Sequence, residues 1–499
     1  MGLRRGPCAH LHALGLGLLL AFTSTRGAWI DPDTDVDAAG SLQSYHTGTM
    51  YDLVMSDEFN RDGRSFDDGE DPKWTAINKN DYTNAALHYY SKDKVTANDG
   101  FLNITTSNED VTFKYWDDKK KRFQKDSKVF STGMVQGWNK FCFNGGVVEA
   151  SIQLPGDAFT GGMWPAAWLL GNLARATYTS SSDYQWPWSY DKCNREDEIH
   201  ANFQVQQETS SCNSLNHYGF HKHQGRGAPE IDILEAMPGY SPKTNDTVGK
   251  PYISTSLQVS PGVPRDRPVN GMKPVPGLWY EDDLEYGDES ALNEYFYGTQ
   301  LKHTPKERTY WADAISANTR LANTHFKKQH IYRVEWESGD SGYIRWYVDG
   351  EFTFGMTAET LRITGAKIPD EPMYLLFNTA VSSMWGFPAP CNFDNCSCDC
   401  WDPRVKKCLC AIPDGMDALL PAYYLIDWVR VYQNPNNPNE KVGCDTDTHP
   451  TAKWIEGHAD VYKDPDEDHV LLPVKKGGGH CKGENDCGMG QCLRHRCRY

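Results

Sequence analysis

Six residues, Glu230-Ile231-Asp232-Ile233-Leu234-Glu235, lie between two prolines that leave room for only one short element. In a β-strand successive side chains point to opposite faces, so Glu230 and Asp232 share one face and the two isoleucines take the other. Strict alternation would place Glu235 on the apolar face. One extra residue, a β-bulge around Ile233-Leu234, returns Glu235 to the acidic face. The stretch therefore predicts a bulged strand that carries three carboxylates on one side.

Three carboxylates on one strand face have a chemical consequence. Because like charges repel, at least one group keeps its proton to a higher pH, as a general acid requires, while another stays ionised. Retaining glycosidases use two carboxyl groups about 5–5.5 Å apart, and same-face residues of one strand fall near that range. Two alternatives are a solvated acidic face and a short helix, although the apolar positions form no single helical stripe.

The spacing Glu-x-Asp-x-x-Glu resembles the bulged active-site signature of glycoside hydrolase family 16, whose members are retaining β-glucan-active enzymes on a β-jelly roll. The resemblance extends over about residues 30–465 and is greatest to the fungal branch associated with β-1,6-glucan synthesis. The segments that carry it lie in the family's order, at residues 53–60, 63–66, 71–74, 132–154, 162–170, 186–193, 225–229, 373–378, 423–432, 442–445 and 450–454.

The fold that this resemblance implies is all-β: a β-jelly-roll sandwich of two antiparallel sheets with large loop insertions, plus a small Cys-rich C-terminal module. Apolar residues alternate through 147–154, as in a half-buried strand. Asp349-Gly350, between two strand-like runs, is typical of a type I′ hairpin turn. The predicted divisions are a signal peptide at 1–28, a catalytic domain at 29–465 with inserts at about 171–229 and 279–325, a linker at 466–480 and a disulfide module at 481–499.

The resemblance also implies roles for individual residues. Glu230 would be the nucleophile, Glu235 the acid/base, and Asp232 a hydrogen-bond partner that tunes the nucleophile. Tryptophans occur in or near the family's substrate cleft, and core packing is the alternative for Trp164 and Trp168. The residues expected to bind substrate are Tyr90, Trp164, Trp168, Trp186, Trp188, Asn378 and Trp385.

Metal and cofactor requirements follow from the same resemblance. The chemistry needs no cofactor. In some family members an aspartate of the closing strand helps to hold a structural Ca²⁺ together with the opening strand. The positions that match here are Asp427 and Glu58.

Composition limits the partners. The net charge of −17 argues against nucleic acid and anionic membranes as partners. The 16 Trp and 26 Tyr suit the stacking of aromatic faces on sugar rings, although jelly-roll cores also use aromatic residues. We therefore expect a β-glucan polysaccharide or oligosaccharide as partner, and the oligomeric state is not readable from the sequence.

The N-terminus predicts entry into the secretory pathway. A basic start, a short apolar run at 11–22 and following small residues are typical of a signal peptide, with a signal anchor as the alternative. No later stretch is apolar enough to span a bilayer. The destination would be the cell exterior or the lumen of the endoplasmic reticulum, Golgi or vacuole. Three sequons then become glycosylation candidates, at Asn103, Asn245 and Asn395.

The cysteines agree with that compartment. Of 15 cysteines one lies in the leader, so fourteen remain, an even number that suggests a disulfide framework. Six of them crowd residues 391–410, where zinc is the alternative to disulfides. Four more end the chain as the proposed disulfide module, and the connectivity is not readable from sequence.

Three functions remain open at this point. The first is a transglycosylase that acts on β-1,3-glucan through a covalent glycosyl-enzyme and forms β-1,6 branches, which the branch resemblance favours. The second is a hydrolase of β-1,3(1,6)-glucan, because water can replace the sugar acceptor in a retaining mechanism. The third is a non-catalytic glucan-binding or assembly factor on the same fold, against which the intact Glu/Asp/Glu triplet argues.

Overall fold

The computed structural model describes most of the chain. The described residues are 29–117, 119–182, 185–187, 219–221, 224–238, 240–241, 246–247, 250–259, 284–293, 299–303, 308–361, 366–382, 405–409, 413, 415–464, 466, 491–493 and 496–498.

Strands dominate this part of the chain. The first fourteen are β1 (Ser41–Gln43), β2 (Met50–Asp57), β3 (Thr75–Ala76), β4 (Lys79–Asn80), β5 (His88–Tyr90), β6 (Val95–Asn98), β7 (Phe101–Asp117), β8 (Arg122–Thr132), β9 (Met134–Gln136), β10 (Phe143–Asn144), β11 (Gly146–Gln153), β12 (Met163–Gly171), β13 (Glu230–Met237) and β14 (Tyr240–Ser241). The remainder are β15 (Asp246–Thr247), β16 (Tyr252–Val259), β17 (Glu285–Tyr286), β18 (Ser290–Leu292), β19 (Thr299–His303), β20 (Arg308–Arg320), β21 (His330–Glu337), β22 (Tyr343–Val348), β23 (Glu351–Thr357), β24 (Met373–Val381), β25 (Ala422–Gln433), β26 (Lys441–Val442), β27 (Gln491–Leu493) and β28 (Arg496–Arg498).

Helices are short. They are α1 (Val36–Ala39), α2 (Thr179–Ser182), α3 (Ala358–Leu361), α4 (Lys406–Leu409) and α5 (Ala452–Gly457), with single 3₁₀ turns at Lys92–Lys94, Asn323–Phe326, Asp417–Leu419 and Ala459–Tyr462. Within the described ranges, none of these helices has the length and apolar character that crossing a membrane requires.

Two large sheets form the β-jelly-roll sandwich that was predicted, and the all-β fold class is confirmed. Among the described strands, thirteen belong to one sheet, whose main path runs β17-β23-β22-β21-β11-β25-β7-β8-β5-β4. Eleven belong to the other sheet, with the path β18-β20-β16-β13-β12-β24-β10-β26. The strand with the three carboxylates is therefore central in the second sheet, with β12 on one side and β16 on the other.

The core lies between the sheets because each contributes one apolar face. From β13, Ile231, Ile233 and Leu234 are almost fully buried in it, against residues such as Trp346 and Phe377. Burial of each such aliphatic side chain stabilises the fold by about 1.5–3 kcal/mol. The opposite face of the second sheet is left for the polar side chains of β13.

The predicted hairpin is present. β22 and β23 pair antiparallel with one register shift between Trp346 and Tyr347, and the connecting Asp349 and Gly350 both have positive φ, 50° and 87°, as a type I′ turn requires. Local turn chemistry was sufficient to predict this element.

Residues of the predicted second insert, at about 279–325, form strands of both sheets: β17 lies in the first sheet, and β18, β19 and β20 lie in the second. β20 pairs with β16 over eight residues, from Tyr252 opposite Arg320 to Val259 opposite Asp313, and is a full member of the sheet. Over the eight paired residues, 313–320, Ile315 is the one large apolar side chain, so this part of the strand shows little of the apolar alternation by which strands are recognised.

The segment after β25 packs back onto the domain. A disulfide joins Cys142, just before β10, to Cys444, just after β26. Trp454 of α5 stacks on Phe220 of the first insert, with ring centroids 5.0 Å apart. The disulfide agrees with the framework expected from the cysteine count, and it ties the tail to the sheet that carries the carboxylates.

Only some of the other cysteines for which disulfides were predicted lie within the described residues. Cys408 in α4 is disulfide-bonded, which matches the disulfide expectation for its cluster. At the C-terminus β27 and β28 pair with Cys492 opposite Cys497. The rest of the Cys-rich module and most of the linker lie outside the described residues, as does the signal peptide, so these remain predictions.

Candidate active site

The bulge in β13 is at the predicted position. On the β12 side Leu234 lies opposite Ala167 and Asp232 opposite Trp168, so Ile233 has no partner. The β16 ladder shifts over the same residues. Because two consecutive apolar side chains enter the core there, Glu235 returns to the face that carries Asp232. All three carboxylates line one cavity.

Asp232 is held from both sides of the sheet. The Ser256 hydroxyl donates to its Oδ2, and Gln258 Nε2 donates to the same oxygen at 3.2 Å. On the core side, Trp346 Nε1 donates to the Asp232 backbone carbonyl at 2.9 Å. The side chain is 2% exposed, so these donors replace the water that a carboxylate would otherwise bind.

Burial and mutual repulsion shape the protonation of the carboxylates. Burial, with the charges of Asp232 and Glu235, holds the pKa of Glu230 well above its usual range. Burial also raises the pKa of Asp232 to about 6, although the donors Ser256 and Gln258 oppose that rise. Both carboxyl groups therefore hold a proton to a higher pH than usual, and strongly perturbed pKa values of this kind are typical of catalytic sites.

Two tryptophans bind the glutamates directly. Trp164 Nε1 on β12 donates to Glu235 Oε1 at 2.9 Å. Trp186, in the first insert, donates from Nε1 to Glu230 Oε2. Both indoles are half-buried and line the cavity, so the cleft prediction for Trp164 is favoured over core packing.

A second hydrogen-bonded chain crosses the cavity floor. Trp168 Nε1 donates to Asn378 Oδ1 at 2.8 Å, and Asn378 Nδ2 donates to the Tyr90 hydroxyl at 3.2 Å. Trp168 is half-buried at the cavity wall. Tyr90 is 1% exposed, so it supports the floor more than it presents a face to solvent.

The cavity itself has a volume of about 240 Å³. One wall comes from the first insert and the other from the loop between β4 and β5. Its lining includes Glu230, Asp232, Glu235, Trp164, Trp168, Trp186, Tyr90 and Asn378 from the sequence prediction, together with Asp81, Thr83, Asn84, Ala86, His88, Met134, Ala166, Leu170, Ala176, Thr177, Ser182, Ala380 and Ser382.

Sequence reasoning missed several of these residues. Ser256 and Gln258 alternate with apolar neighbours along β16, a period-two signal that could have found them. The β4–β5 loop carries Asp81, whose Oδ1 accepts hydrogen bonds from the Thr83 backbone and hydroxyl. Nothing in the local sequence places that loop at the cleft.

Four of the predicted residues cannot be located. Trp188 and Trp385 lie outside the described residues, as do the sequons at Asn245 and Asn395. Asn103 is described: it is half-buried on β7, and Thr105 Oγ1 donates to its Oδ1 at 3.4 Å. Glycosylation of all three sequons stays a prediction.

The residues proposed for calcium do not fit that ion. Glu58 accepts two hydrogen bonds from the Arg430 guanidinium, at 3.0 and 2.9 Å, and one from Thr34 at 2.8 Å. Asp427 accepts one from Ser151 at 3.2 Å. Because the Arg430 guanidinium already neutralises Glu58, a divalent cation would have to displace it.

Another group of metal-type ligands lies away from the cavity. His325, His330 and Asp349 have ligand atoms within 4.8 Å of one another. The two imidazoles stack nearly parallel, 3.6 Å apart at 15°, which does not direct their ring nitrogens toward one ion. His325 Nδ1 bonds the Tyr332 hydroxyl and His330 Nδ1 bonds Asp349. We therefore assign no metal to this group.

Comparison with known families gives a match along most of the chain. The sequence model of the family described as beta-glucan synthesis-associated protein SKN1/KRE6/Sbg1 matches residues 13–394 and 411–471. That interval contains all three carboxylates and the cavity-lining tryptophans.

Individual relatives agree with the family match. Beta-glucan synthesis-associated protein KRE6 of Saccharomyces cerevisiae is 29% identical over 461 residues, covering 88% of this chain and 54% of that protein. SKN1 of Candida albicans is 29% identical over 480 residues, covering 92% and 54%. Glucan endo-1,3-beta-glucosidase A1 of Niallia circulans is 25% identical over 402 residues, covering 76% and 38%. The chain thus spans about half the length of the first two relatives and a smaller share of the third.

Among solved structures, the catalytic domain of an endo-1,3-beta-glucanase from Thermotoga petrophila aligns at 18% identity with a TM-score of 0.42, covering 78% of this chain and 100% of that one. An endo-beta-1,3-glucanase from Pyrococcus furiosus aligns at 17% identity with a TM-score of 0.41, covering 79% and 98%.

Proposed function

Because the chain belongs to the family of beta-glucan synthesis-associated proteins SKN1/KRE6/Sbg1, we propose that it is a retaining β-glucan transglycosylase. In this proposal it cleaves β-1,3-glucan, holds the donor as a covalent glycosyl-enzyme, and transfers it to a sugar 6-hydroxyl to make a β-1,6 branch.

The observation that carries the proposal is the bulged strand. Glu230 and Glu235 share one cavity with Asp232 between them, and each glutamate accepts a hydrogen bond from a different indole. The buried Asp232 and Glu235 and the half-buried Glu230 lower the stability of the fold, because desolvation and repulsion both oppose their ionisation, and such a cluster therefore points to a chemical role. A retaining glycosidase needs two carboxyl groups at one cleft, which this arrangement provides, and Glu230 must first give up the proton that its raised pKa favours.

The first chemical step forms the glycosyl-enzyme. Ionised Glu230 attacks the anomeric carbon and forms a C–O bond to it. The glycosidic C–O bond breaks at the same carbon, and the leaving oxygen takes the proton of Glu235. Asp232 accepts from Ser256 and Gln258, which orients it beside the nucleophile.

The second step releases the donor. Glu235, now ionised, takes the proton of an acceptor hydroxyl, whose oxygen bonds the anomeric carbon while the bond to Glu230 breaks. A sugar hydroxyl as acceptor gives transfer, and water gives hydrolysis. The half-buried Trp164, Trp168 and Trp186 offer apolar surface for sugar rings in the cavity, which favours a sugar acceptor over water.

Hydrolysis of β-1,3-glucan is the second candidate function. It is favoured by the match to a protein named glucan endo-1,3-beta-glucosidase. The two candidates share every step up to the choice of acceptor. A glucan-binding or assembly role without catalysis is a third outcome, which a product assay also distinguishes.

The cellular route is part of the proposal. The leader predicted at 1–28 and the disulfide between Cys142 and Cys444 support passage through an oxidising secretory compartment. Disulfides of this kind rarely persist in the cytosol.

The deciding experiment incubates the purified full-length chain with β-1,3-gluco-oligosaccharides and analyses the products by mass spectrometry and linkage analysis. We expect longer oligosaccharides with new 1,6 linkages, absent with Glu230→Gln. Shorter products alone would identify a hydrolase instead. Unchanged oligosaccharides, despite measurable glucan binding, would contradict both enzyme proposals and support the binding role.

A further inference from the structure

Two tryptophans of the cavity each donate a hydrogen bond to a different glutamate. We infer that Trp186 and Trp164 are positioning residues, each of which holds one oxygen of one catalytic glutamate through its indole N–H. This inference rests on the proposed glycosidase function and adds a role to two residues that sequence reasoning assigned only to sugar binding.

Trp164 reaches Glu235 from the neighbouring strand. Glu235 lies opposite Ala166 on β12, and Trp164 is two residues further along the same face. Its indole therefore lies diagonally across from the carboxylate, within reach of a large side chain. The resulting hydrogen bond is 2.9 Å long. A rigid, central pair of strands thus sets the position of Glu235 Oε1.

Trp186 reaches Glu230 from outside the sheet. Its own backbone N–H donates to the Ser182 carbonyl at 3.0 Å, and Ala228 N donates to the carbonyl of Gln185 at 2.8 Å. The ring packs against a buried cluster that includes Leu170 and Tyr374. The bond from Ala228 therefore ties the chain beside Trp186 to the C-terminal end of the first insert, and Trp186 delivers one donor to the proposed nucleophile.

An indole N–H can only donate, and this determines what each bound oxygen can do. Glu235 Oε1 must accept, so the proton that Glu235 transfers belongs on Oε2. Glu230 Oε2 must also accept, which favours the ionised form needed for attack. Each tryptophan thus stabilises the anionic form of its own glutamate.

Other charges around the glutamates act in the opposite sense. Asp232 and the partner glutamate lie on the same strand, and Tyr374 of β24 is close enough to Glu230 to interact electrostatically. The register neighbours carry no charge: Leu170 and Gln258 beside Glu230, Ala166 and Ser254 beside Glu235. Asp81 and His88 line the same cavity.

The test replaces each tryptophan by phenylalanine, which keeps an aromatic face and removes the N–H. Trp186→Phe should raise the pKa of Glu230 and move the acidic limb of the kcat/KM profile up by about one pH unit. Trp164→Phe should move the basic limb up by a similar amount, because Glu235 then keeps its proton to higher pH. Each variant leaves the other limb in place.

A matched control separates positioning from sugar stacking. Trp168 also lines the cavity, but its indole donates to Asn378 rather than to a carboxylate. Trp168→Phe should therefore leave both limbs where they are, whatever it does to KM. If Trp164→Phe and Trp186→Phe change only KM, the tryptophans act by stacking and the inference is overturned.

A double-mutant cycle on the free energy of unfolding tests the positioning role of Trp186 without measuring turnover. Trp186→Phe, Glu230→Gln and the double variant are unfolded in urea at pH 5 and pH 8. The coupling between the two residues should be larger at pH 8 than at pH 5, because the higher pH favours the ionised form of Glu230, to which the indole donates. A coupling that is equal at both pH values would contradict the inference. If the wild-type chain shows no turnover, the proposed function fails while this cycle still gives an answer.

Discussion

At the scale of single residues, the carboxyl groups that the proposed reaction needs also lower the stability of the fold. Glu230 is crowded by Asp232 and Glu235 on the same strand face, and the hydrogen bond from Trp186 only partly offsets the cost. In the folded chain Glu230 therefore binds its proton more tightly than the ordinary pKa of 4.5 would allow. Between 4.5 and the raised pKa the folded state binds more protons than the unfolded chain, so stability falls as pH rises.

The neutral isostere should remove that cost. We expect Glu230→Gln to abolish activity yet raise the free energy of unfolding by about 1–3 kcal/mol at pH 7.5. At pH 4 the free energy of unfolding should be nearly unchanged, because Glu230 of the wild-type chain is then protonated in both the folded and the unfolded state. Urea unfolding at the two pH values measures this. Glu351→Gln, at an exposed position on β23, is the control and should change little at either pH. Destabilisation by Glu230→Gln at pH 7.5 would show that the charge is well solvated.

At the scale of elements, the first insert is joined to the second sheet and to the tail by one buried ion pair. Arg226 donates to both oxygens of Glu371, at 2.7 and 2.8 Å, and to the Pro450 carbonyl at 2.9 Å. Arg226 is fully buried. Because Arg226 lies four residues before Glu230, this pair also sets how β13 begins.

Removal of Arg226 alone should strongly lower the free energy of unfolding. Arg226→Met leaves the Glu371 carboxylate buried without its cation, and we expect a loss of about 3–5 kcal/mol in the free energy of unfolding. Arg226→Met with Glu371→Met should recover a large part of the loss, because neither charge then remains buried.

Equilibrium unfolding in urea measures all three variants. The exposed pair Arg320–Glu289, 3.8 Å apart, provides the control, and Arg320→Met should cost under about 1 kcal/mol. Equal, small losses at the buried and the exposed pair would contradict this account.

At the scale of the whole molecule, the tail, which is the described segment after β25, is bonded back onto the rest of the domain. The Cys142–Cys444 disulfide spans 302 residues of sequence. Beyond it, the Tyr462 hydroxyl donates to the Leu173 carbonyl at 2.6 Å, and Arg175 donates to the Tyr462 carbonyl at 3.1 Å. The tail therefore supports the insert that carries Trp186.

Removing this cross-link should weaken the whole domain. Cys142→Ser combined with Cys444→Ser is expected to lower the free energy of unfolding by about 2–5 kcal/mol, because the unfolded chain gains conformational freedom. Thermal unfolding of the double variant tests the size of the effect. Peptide mapping of the wild-type chain without reductant should recover the two cysteines in one linked peptide. Recovery in separate peptides would refute the cross-link and the predicted loss together.

Local order in the chain was sufficient for the bulged strand and its three carboxylates, whereas the jelly-roll fold was predicted from the family resemblance. The alternation and bulge of 230–235 and the Asp349-Gly350 turn depend on neighbours within a few residues, so they can be read along the sequence. β20 was missed because Ile315 is the one large apolar side chain among its paired residues 313–320, so the strand shows little apolar contrast. The catalytic roles of Glu230, Asp232 and Glu235 remain proposals that the geometry supports.

By itself, then, the sequence determined the bulged acidic strand, the all-β class and the family resemblance. Only the tertiary structure decided which groups meet those carboxylates: Ser256 from the next strand, Trp186 from an insert, and a tail bonded through Cys444. It also placed Glu58 against Arg430 instead of in a calcium site. The physical reason is that such contacts join residues far apart in the chain. They depend on how both sheets, the insert and the tail pack together, and no local periodicity encodes that packing.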